Sequence, residues 1–423
     1  MSSALDGSPY QGYLYGYPHK TAYRALEVPV PLGQVWRDEP RDALFLYVHV
    51  PFCAMRCGFC NLFTAAGPVE AVVARYLDAL EREAKALRAE VGRLRFVRAA
   101  VGGGTPTFLS EGQLSRVLDL MQLEPGVPLS VELSPETTTP EKVALLARRG
   151  ATRLSIGVQS FVPAELAQLK RPQELPDVER ALDAMRAHTR CLNLDLIYGI
   201  EGQTEATFVS SIRAALRWAP DELYLYPLYV RPLTLLGRGG RSWDDERLAL
   251  YRAGRAYLLA NGYAQVSMRM FRKNGAATAP APAYRCQEDG MVGLGCGARS
   301  YTRSLHYSNE FAVASREVRG IIEAYSARDA DSFRFASYGY RLGDEDRLRR
   351  RVILSLLSDD GLTLDVADAR ELPQLAELED RGLAARAGER LVLTPAGLER
   401  SDAIGPWLQS EAVTAAMKGW QLR

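Results

Sequence analysis

Residues 44–60 read LFLYVHVPFCAMRCGFC, from Leu44 to Cys60. The stretch opens with a short run of apolar and β-branched residues, which predicts a buried strand. Cys53, Cys57 and Cys60 follow directly. We therefore expect all three thiols on one loop at the carboxyl end of the first core strand.

Strand-like and helix-like stretches alternate after this point. The six predicted strands are Leu44–Val50, Val97–Gly102, Leu129–Ser134, Thr152–Val158, Leu192–Tyr198 and Glu222–Val230. The clearest helical spacings are Val69–Val91, Glu111–Met121, Pro140–Arg149, Glu174–His188 and Thr204–Trp218. This alternation predicts parallel strands with right-handed crossovers, hence an α/β fold with its site at the strands' carboxyl ends. A partial (β/α)6 TIM-like barrel is the first prediction, and a doubly wound sheet is the alternative.

The chain is predicted to divide into four segments. Residues 1–40 are rich in Tyr, Pro and Gly without a sustained period, which predicts an irregular N-terminal arm outside the core. Residues 41–241 would form the barrel and residues 242–341 an extension of it on the substrate side. Residues 342–423 are charged and helical in pattern, which suggests a small winged-helix-like domain. Ala276–Ala283 is interpreted as a surface loop.

Composition narrows the class of protein. The 423 residues carry 52 basic and 51 acidic side chains, so no overall charge attracts nucleic acid or an anionic membrane. The N-terminus has no targeting pattern and no apolar run spans a bilayer. The six cysteines are too few and too unevenly placed for a secreted disulfide framework. We expect a cytoplasmic monomer whose substrate is a small molecule.

The cysteine spacing indicates a particular metal chemistry. Three close thiolates without a fourth suit an iron–sulfur cubane with one open iron, whereas a structural zinc site needs four protein ligands. A zinc site completed by His49 is the alternative. Cys191, Cys286 and Cys296 stand apart and are interpreted as ordinary core or loop residues.

The segment Tyr47–Cys60, with the pattern YxHxPFC before the second and third cysteines, resembles the HemN-like branch of radical S-adenosylmethionine (SAM) enzymes. This branch contains the oxygen-independent coproporphyrinogen III oxidases. Further matching stretches are Gly102–Thr107 (GGGTPT), Val131–Pro135 (VELSP), Ser155–Phe161 (SIGVQSF), Asn193–Gly199 (NLDLIYG) and Gly293–Ala298 (GLGCGA). The resemblance implies a 4Fe-4S cluster, SAM, a 5′-deoxyadenosyl radical and a reducing partner such as flavodoxin or ferredoxin.

The resemblance also assigns roles to single residues. Cys53, Cys57 and Cys60 would hold the cluster, and Tyr47 would lie beside it and the SAM adenine. Glycines in the GGGTPT stretch permit a close backbone approach. The remaining cofactor-binding residues implied are Phe59, Gly103, Gly104, Thr105, Glu132, Gln159, Arg171, Asp195 and Ile197. Among these, Glu132 would meet the SAM amine or ribose, and Arg171 the SAM carboxylate. For each polar residue taken singly, a buried structural hydrogen bond is the alternative.

Departures from the branch suggest a divergent subfamily. Leu62 stands where the oxidases carry a further cysteine, and residues 281–286 (APAYRC) replace the HNxxYW signature of heme-chaperone relatives. The favoured reaction is C-methyl transfer, with a second SAM near Phe63, Gly104, Ile197 and Tyr226–Tyr229. Oxidative decarboxylation of a coproporphyrinogen-like propionate and heme carriage without turnover are the alternatives.

Two smaller questions stay open in the sequence. Tyr224 and Tyr226 alternate with leucines along one predicted strand, and their face could belong to the core or line a substrate cavity. His19 and His306 lie in loop-like contexts, where a histidine is either a proton carrier or a solvated or capping residue.

Overall fold

The computed structural model describes residues 4–231, 234–238, 244–276, 284–286, 288–363 and 371–420. The predicted boundary at 241–242 and all but the first residue of the predicted loop Ala276–Ala283 lie outside these ranges. No described helix is both long and apolar enough to cross a membrane.

The described strands are short and spread over the whole chain. In chain order they are β1 (Arg24–Pro31), β2 (Leu44–Val50), β3 (Phe52–Cys53), β4 (Ala65–Ala66), β5 (Phe96–Gly103), β6 (Leu129–Leu133), β7 (Ala151–Gln159), β8 (Cys191–Tyr198), β9 (Glu222–Pro227), β10 (Tyr263–Gln265), β11 (Met270–Lys273), β12 (Met291–Leu294), β13 (Arg299–Tyr301), β14 (Leu305–Ser308), β15 (Phe335–Arg341), β16 (Leu362–Thr363), β17 (Ala384–Ala387) and β18 (Arg390–Leu393).

The described α-helices alternate with the first strands and dominate the C-terminal part. They are α1 (Leu32–Val35), α2 (Glu70–Val91), α3 (Glu111–Met121), α4 (Pro140–Arg148), α5 (Pro163–Gln168), α6 (Leu175–His188), α7 (Glu205–Ala215), α8 (Asp244–Ala260), α9 (Ser315–Ala327), α10 (Asp344–Leu356), α11 (Gln374–Asp380), α12 (Pro395–Leu398), α13 (Ser401–Trp407) and α14 (Glu411–Lys418).

One large sheet organises the fold. Its strands follow the order β1-β15-β14-β13-β12-β2-β5-β6-β7-β8-β9-β11-β10. The segment from β2 to β9 pairs in parallel and in chain order, which confirms the six predicted strands. A doubly wound sheet would reverse its strand order partway, so the sequential order favours barrel-type winding. The sheet continues at one edge with β12, parallel to β2, and then with antiparallel strands.

The barrel strands have an apolar outer face and a polar inner face. In β8, Leu192, Leu194 and Leu196 are fully buried under the helices. The residues between them, which include Asn193 and Asp195, point to the other face. Closed barrels usually fill their interior with branched aliphatic residues. A polar inner face therefore indicates a lumen that holds a ligand.

The N-terminal arm is more ordered than its sequence predicts. Residues 24–31 form an edge strand of the large sheet, paired with β15. The prediction of an irregular arm outside the core is therefore wrong for this part. The sequence did not reveal this strand because half of its residues are exposed and its sequence, RALEVPVP, contains two charged residues and two prolines.

The C-terminal residues form helices around a small antiparallel sheet, with strand order β16-β18-β17. This matches the predicted winged-helix-like region. Its hydrophobic core also contains residues of the N-terminal arm, namely Leu5, Leu14, Tyr17 and Ala22. The arm is therefore held by the C-terminal region on one side, while its other side faces the barrel.

Candidate cluster and cofactor site

The three predicted cluster cysteines lie on one loop after β2, and each is half-buried with a free thiol. Burial raises the pKa of Cys53 to about 12 and raises that of Cys57. Donors beside Cys53 and Cys57 oppose this effect and favour the thiolate, the form that binds metal. The contacts are Thr105 Oγ1 to Cys53 Sγ (3.5 Å), Arg171 Nη1 to Cys57 Sγ (3.1 Å) and Thr64 Oγ1 with Cys60 Sγ (3.8 Å).

The predicted zinc alternative depends on His49, and its ring nitrogens are already used. Nε2 donates to the Phe63 carbonyl oxygen at 3.0 Å, and Nδ1 lies 3.3 Å from the Tyr47 hydroxyl, which can donate to it. Burial lowers the pKa of His49 to about 4, so the ring is neutral. The histidine therefore positions Tyr47 rather than completing a zinc site.

The candidate metal ligands do not converge on a single ion in the described part of the chain. Among the described residues, no three His, Cys, Asp or Glu side chains are arranged to hold one metal ion. A cubane makes a weaker demand, because each thiolate binds a different iron atom. Three thiols on a short loop, each with a hydrogen-bonding neighbour, fit a 4Fe-4S cluster better than a single zinc ion.

The glycine turn at the end of β5 packs directly against the thiol loop. Gly103 has φ +115°, and its N–H donates to the Glu132 carboxylate at 3.0 Å. A Cβ atom at Gly103 would lie 2.5 Å from the His49 ring, and one at Gly104 would lie 2.5 Å from the Phe52 carbonyl oxygen. These glycines therefore allow the β5 turn to pack closely against the His49 ring and the backbone of Phe52.

Two carboxylates, Glu132 and Asp195, face the lumen from β6 and β8. Burial raises the pKa of Asp195 to about 7, although a hydrogen bond of 2.8 Å from Asn193 Nδ2 opposes this. Burial also raises the pKa of Glu132, yet its side chain is exposed. A carboxylate can have both a raised pKa and an exposed surface when that surface faces an internal cavity. The sequence analysis did not single out Asn193, whose amide also donates to Ser155.

Gln159 is the last residue of β7, and Arg171 contacts the same end of this strand. Gln159 has φ +69°, which is uncommon for a residue other than glycine and marks a constrained site. Besides Cys57, the Arg171 guanidinium donates to the Gly157 carbonyl at 2.7 Å and to Gln173 at 2.9 Å. In this structure Arg171 therefore fixes the thiol loop to β7, and contact with the SAM carboxylate stays a prediction.

Phe59 and Ile197 contribute to a small apolar cluster separate from the main core. Its buried members are Leu169, Ile197, Ile200 and Leu228, with Phe59 and Tyr226 packed against them. The cluster joins the thiol loop to the ends of β8 and β9. Its apolar surface suits a flat aromatic ring such as adenine.

Tyr224 and Tyr226 line the lumen, which resolves the choice left open by the sequence. Their rings stack at 5.7 Å, and both are half-buried, whereas Leu223 and Leu225 on the opposite face are fully buried. By contrast, Phe63, expected near a second SAM, is buried with its ring against His49.

Residues of the N-terminal arm enter the barrel mouth, and sequence reasoning missed them. Three arm tyrosines each lie under an arginine of the barrel or its extension. The ring-to-guanidinium distances are 4.3 Å for Tyr10–Arg247, 3.7 Å for Tyr13–Arg269 and 4.7 Å for Tyr15–Arg299. The Tyr-rich composition of the arm was the available signal, but nothing local indicated its partners.

His19 and His306 do not act as proton carriers near neutral pH. His19 caps a short helical turn, and its ring accepts from the Thr21 N–H. Burial and nearby cations, including Lys20, lower the pKa of His19 to about 3. Burial also lowers the pKa of His306 well below its usual value, and its side chain is fully buried. The capping interpretation is confirmed for His19, and the solvated one is wrong for His306.

A parallel barrel with a loop of three cysteines at the end of its first strand defines a radical SAM protein. Residues 47–215 match the family described as the Radical SAM superfamily. The chain resembles the solved coproporphyrinogen III oxidase (HemN) of Escherichia coli, with a TM-score of 0.77 and 22% identity over 94% of this chain and 97% of that one. At this identity the likeness shows the fold.

Proteins of similar sequence identify the branch of the superfamily. The heme chaperone HemW of Mycobacterium tuberculosis is 31% identical over 385 residues, which cover 86% of this chain and 94% of the relative. The oxygen-independent coproporphyrinogen III oxidase of Paracoccus denitrificans is 29% identical over 342 residues, or 75% and 73% of the two chains. The chain belongs to the HemN-like branch of the radical SAM superfamily, and this membership implies a 4Fe-4S cluster and SAM.

Proposed function

We propose that this chain is an enzyme that cleaves SAM reductively and abstracts hydrogen from a small organic substrate in the barrel lumen. The observation that carries the proposal is the thiol loop. Cys53, Cys57 and Cys60 each have a hydrogen-bonding neighbour, and Thr105 and Arg171 connect the loop to the ends of β5 and β7. Superfamily membership supports an enzyme, while the particular reaction depends on how the chain's own residues bind SAM and the substrate.

The chain's own residues would divide the work of binding. A bound cluster supplies the electron that breaks a carbon–sulfur bond of SAM. Glu132 and Asp195 offer carboxylate oxygens to the SAM amine and ribose. Ile197 and Phe59 offer an apolar surface to the adenine. Arg171 holds Cys57 and thereby the geometry of the loop.

The roles of Tyr47 and Gln159 follow from their positions. The Tyr47 hydroxyl is anchored on His49, so its ring is fixed between the lumen and the thiol loop. Gln159 presents an amide at the end of β7, where a constrained backbone holds it in place. Gly103, Gly104 and Thr105 bring the β5 turn close to Cys53.

The first experiment compares the wild type with Cys57→Ala. Each protein is reconstituted anaerobically with iron and sulfide and supplied with SAM and dithionite, and 5′-deoxyadenosine is measured. Cys191→Ala is the matched control, because Cys191 is another half-buried free cysteine but begins β8 away from the loop. We expect Cys57→Ala to lose at least about 100-fold of the activity, the upper range for disturbing a metal site. Equal activity in all three proteins, or none in a wild type with an intact cluster and candidate substrates, would contradict the proposal.

The reaction after hydrogen abstraction divides into two hypotheses. The favoured one is C-methyl transfer from a second SAM, supported by the resemblance to branch members that use two SAM molecules. The alternative is oxidative decarboxylation, as the name of the Paracoccus relative indicates for that protein. SAM labelled in its methyl group separates them. Label in the product supports methyl transfer, whereas carbon dioxide without label in the product supports decarboxylation.

Heme carriage is a second candidate, favoured by the 31% identity to a heme chaperone over nearly its whole length. Against it, His49 is fully engaged and His306 is buried, so neither offers a nitrogen to an iron at the surface. A heme titration followed by absorbance tests this candidate. A chain that cleaves SAM and shows no saturable heme binding is not a carrier.

A further inference from the structure

A pair of cations lies in the barrel mouth beside the thiol loop. Lys20 comes from the N-terminal arm, and Arg299 begins β13. The Lys20 ammonium lies 3.6 Å from the centre of the Phe311 ring and within electrostatic reach of Cys60 and Arg299. Both side chains keep part of their surface accessible, although both lie deep among protein atoms. The pair therefore faces the internal cavity.

Among the residues that the structure describes, no carboxylate forms an ion pair with Lys20 or Arg299. The strongest electrostatic influences on Arg299 come from four phenols, those of Tyr15, Tyr301, Tyr23 and Tyr47. The Arg299 Nη1 atom is buried and has no hydrogen-bond partner in the described part of the chain. Tyr15 is the hydrogen-bonding neighbour of both cations. Buried charges are normally paired with an acid, so an arginine and a lysine that share only a phenol are unfavourable without an anionic ligand.

The pKa of Tyr15 shows how strongly the surroundings of Lys20 and Arg299 favour a negative charge. Its ring lies under the Arg299 guanidinium, and 41% of the residue's surface is exposed. Burial would raise the pKa of Tyr15, but the charges of Arg299 and Lys20 outweigh burial and lower it to about 8. A phenol is the most acidic group that the protein itself places between the two cations. A ligand carboxylic acid is a stronger acid than a phenol, so its anion would interact more favourably with the two cations.

We infer that Lys20 and Arg299 form an anion subsite that binds a carboxylate of the substrate. The inference rests on the proposed function, since it assigns an orientation to the substrate in that same lumen. A guanidinium edge and an ammonium supply two charged donors, which match the two oxygens of a carboxylate. Because Lys20 lies near Cys60, the carboxylate would lie near the cluster loop and direct the rest of the substrate into the lumen.

The subsite lies apart from three of the side chains proposed to bind SAM, while Tyr47 on β2 is within electrostatic reach of Arg299. Glu132, Gln159 and Asp195 belong to β6, β7 and β8, whereas β12, β2 and β5 separate β13 from β6 in the sheet order. The two sets therefore occupy different walls of the lumen. An anion bound by Lys20 and Arg299 should not compete with the SAM carboxylate.

The test uses the reconstituted full chain and fluorine NMR. Trifluoropropionate is the carboxylate probe, and trifluoropropionamide is its uncharged counterpart. We expect saturable binding of the acid, no saturable binding of the amide, and no displacement of the acid by saturating SAM. Displacement by SAM, equal binding of acid and amide, or no saturable binding of the acid would overturn the inference. Stronger competition by inorganic phosphate than by propionate at matched ionic strength would overturn the choice of a carboxylate.

Variants assign the binding to the two cations. Lys20→Met and Arg299→Met should each weaken binding of the acid about tenfold or more, because each removes a charge-assisted hydrogen bond. Arg93→Met is the control, since Arg93 is 87% exposed and far from the lumen by sequence and strand position. Lys20 lies on the arm, so its variant remains informative if Arg299→Met does not fold. Unchanged binding in Lys20→Met would contradict the inference.

The two proposals fail separately. Formation of 5′-deoxyadenosine without added substrate tests the cluster and SAM and does not depend on the anion subsite. Probe binding is read by NMR and does not depend on turnover. A wild type that cleaves SAM but does not bind the acid leaves the proposed function intact and removes the subsite.

Discussion

The two walls of the barrel mouth are built in different ways. The motif wall consists of the thiol loop, the glycine turn at residues 102–104 and the ends of β6 to β8. The arm wall consists of Tyr13, Tyr15, Lys20 and Arg299, which distant segments bring together. The motif wall carries chemistry shared with the superfamily, and each of its residues lies beside a strand end. The arm wall depends on the chain's own ends, and we expect it to determine which substrate enters.

The largest expected effect tests how the arm wall is anchored. Arg269, directly before β11, forms a buried ion pair with Asp402 of the C-terminal region. The two residues are only 4% and 2% exposed. The Arg269 guanidinium also lies 3.7 Å from the Tyr13 ring. Arg269→Met leaves a buried carboxylate without its cation, so the free energy of unfolding should fall by about 3–5 kcal/mol. Denaturant unfolding followed by circular dichroism measures this change.

The chain offers a matched control for this prediction. Arg252 and Glu399 also connect the barrel to the C-terminal region, with a contact of 2.6 Å, but the Arg252 side chain is 60% exposed. Arg252→Met should lower the free energy of unfolding by less than about 1 kcal/mol, as exposed ion pairs usually do. If both variants lose the same free energy of unfolding, burial does not determine how much the Arg269–Asp402 ion pair contributes to stability.

A smaller effect tests the motif wall. In Gly104→Ala the new methyl would lie 2.5 Å from the backbone oxygen of Phe52, which cannot move aside as a side chain could. Overpacking of this kind lowers the free energy of unfolding by about 1–3 kcal/mol. Gly112→Ala in α3 is the control, because a Cβ there meets nothing within 4 Å and alanine favours the helix. If the Gly104→Ala chain is as stable as the wild type but loses its cluster, Gly104 is needed for cofactor binding and not for stability.

The smallest expected effect concerns pH and the lumen. The Asp195 carboxyl has an ordinary pKa of 3.8, and burial raises it to about 7 in the folded chain. Between these values the folded chain retains a proton that the unfolded chain has lost, so stability falls as pH rises through this window. Asp195→Asn removes the titrating group. The melting temperature of its cluster-free form should therefore change less between pH 5 and pH 8 than that of the wild type.

The control for this prediction is Asp42→Asn, an exposed aspartate outside the lumen. Its melting temperature should follow the wild type across the same range. If Asp195→Asn keeps the full pH dependence, another group of the lumen carries it, and the assignment of Asp195 is wrong.

The sequence predicted the fold well because its signals are local. Each barrel strand is a short apolar run, and each helix has its own amphipathic spacing or cap, such as the Ser110–Gln113 capping box that begins α3. The cysteine loop was equally readable, since its residues lie within eight positions. The placement of Glu132 and Asp195 on one lumen follows from parallel strands that end at the same edge.

The arm wall was not predictable for the opposite reason. Nothing near Lys20 in the sequence indicates Arg299, and the strand Arg24–Pro31 lacks an alternating pattern because only its ends are covered. The assignment of Arg171 illustrates a different limit. Its residue type suited a SAM carboxylate, but only the structure shows that its donors meet Cys57, Gly157 and Gln173.

The docking of the arm on the C-terminal core has a consequence for the order in which the molecule is made. The Tyr17 hydroxyl donates to Asp346 and lies 3.1 Å from Ser410, partners that are 329 and 393 positions away. On the ribosome, the barrel strands emerge and can pair long before these partners exist. The arm can dock only after synthesis of the C-terminal helices. Until then the arm lacks these anchors, so the wall that carries Lys20 is completed only after the cysteine loop and the barrel have been made.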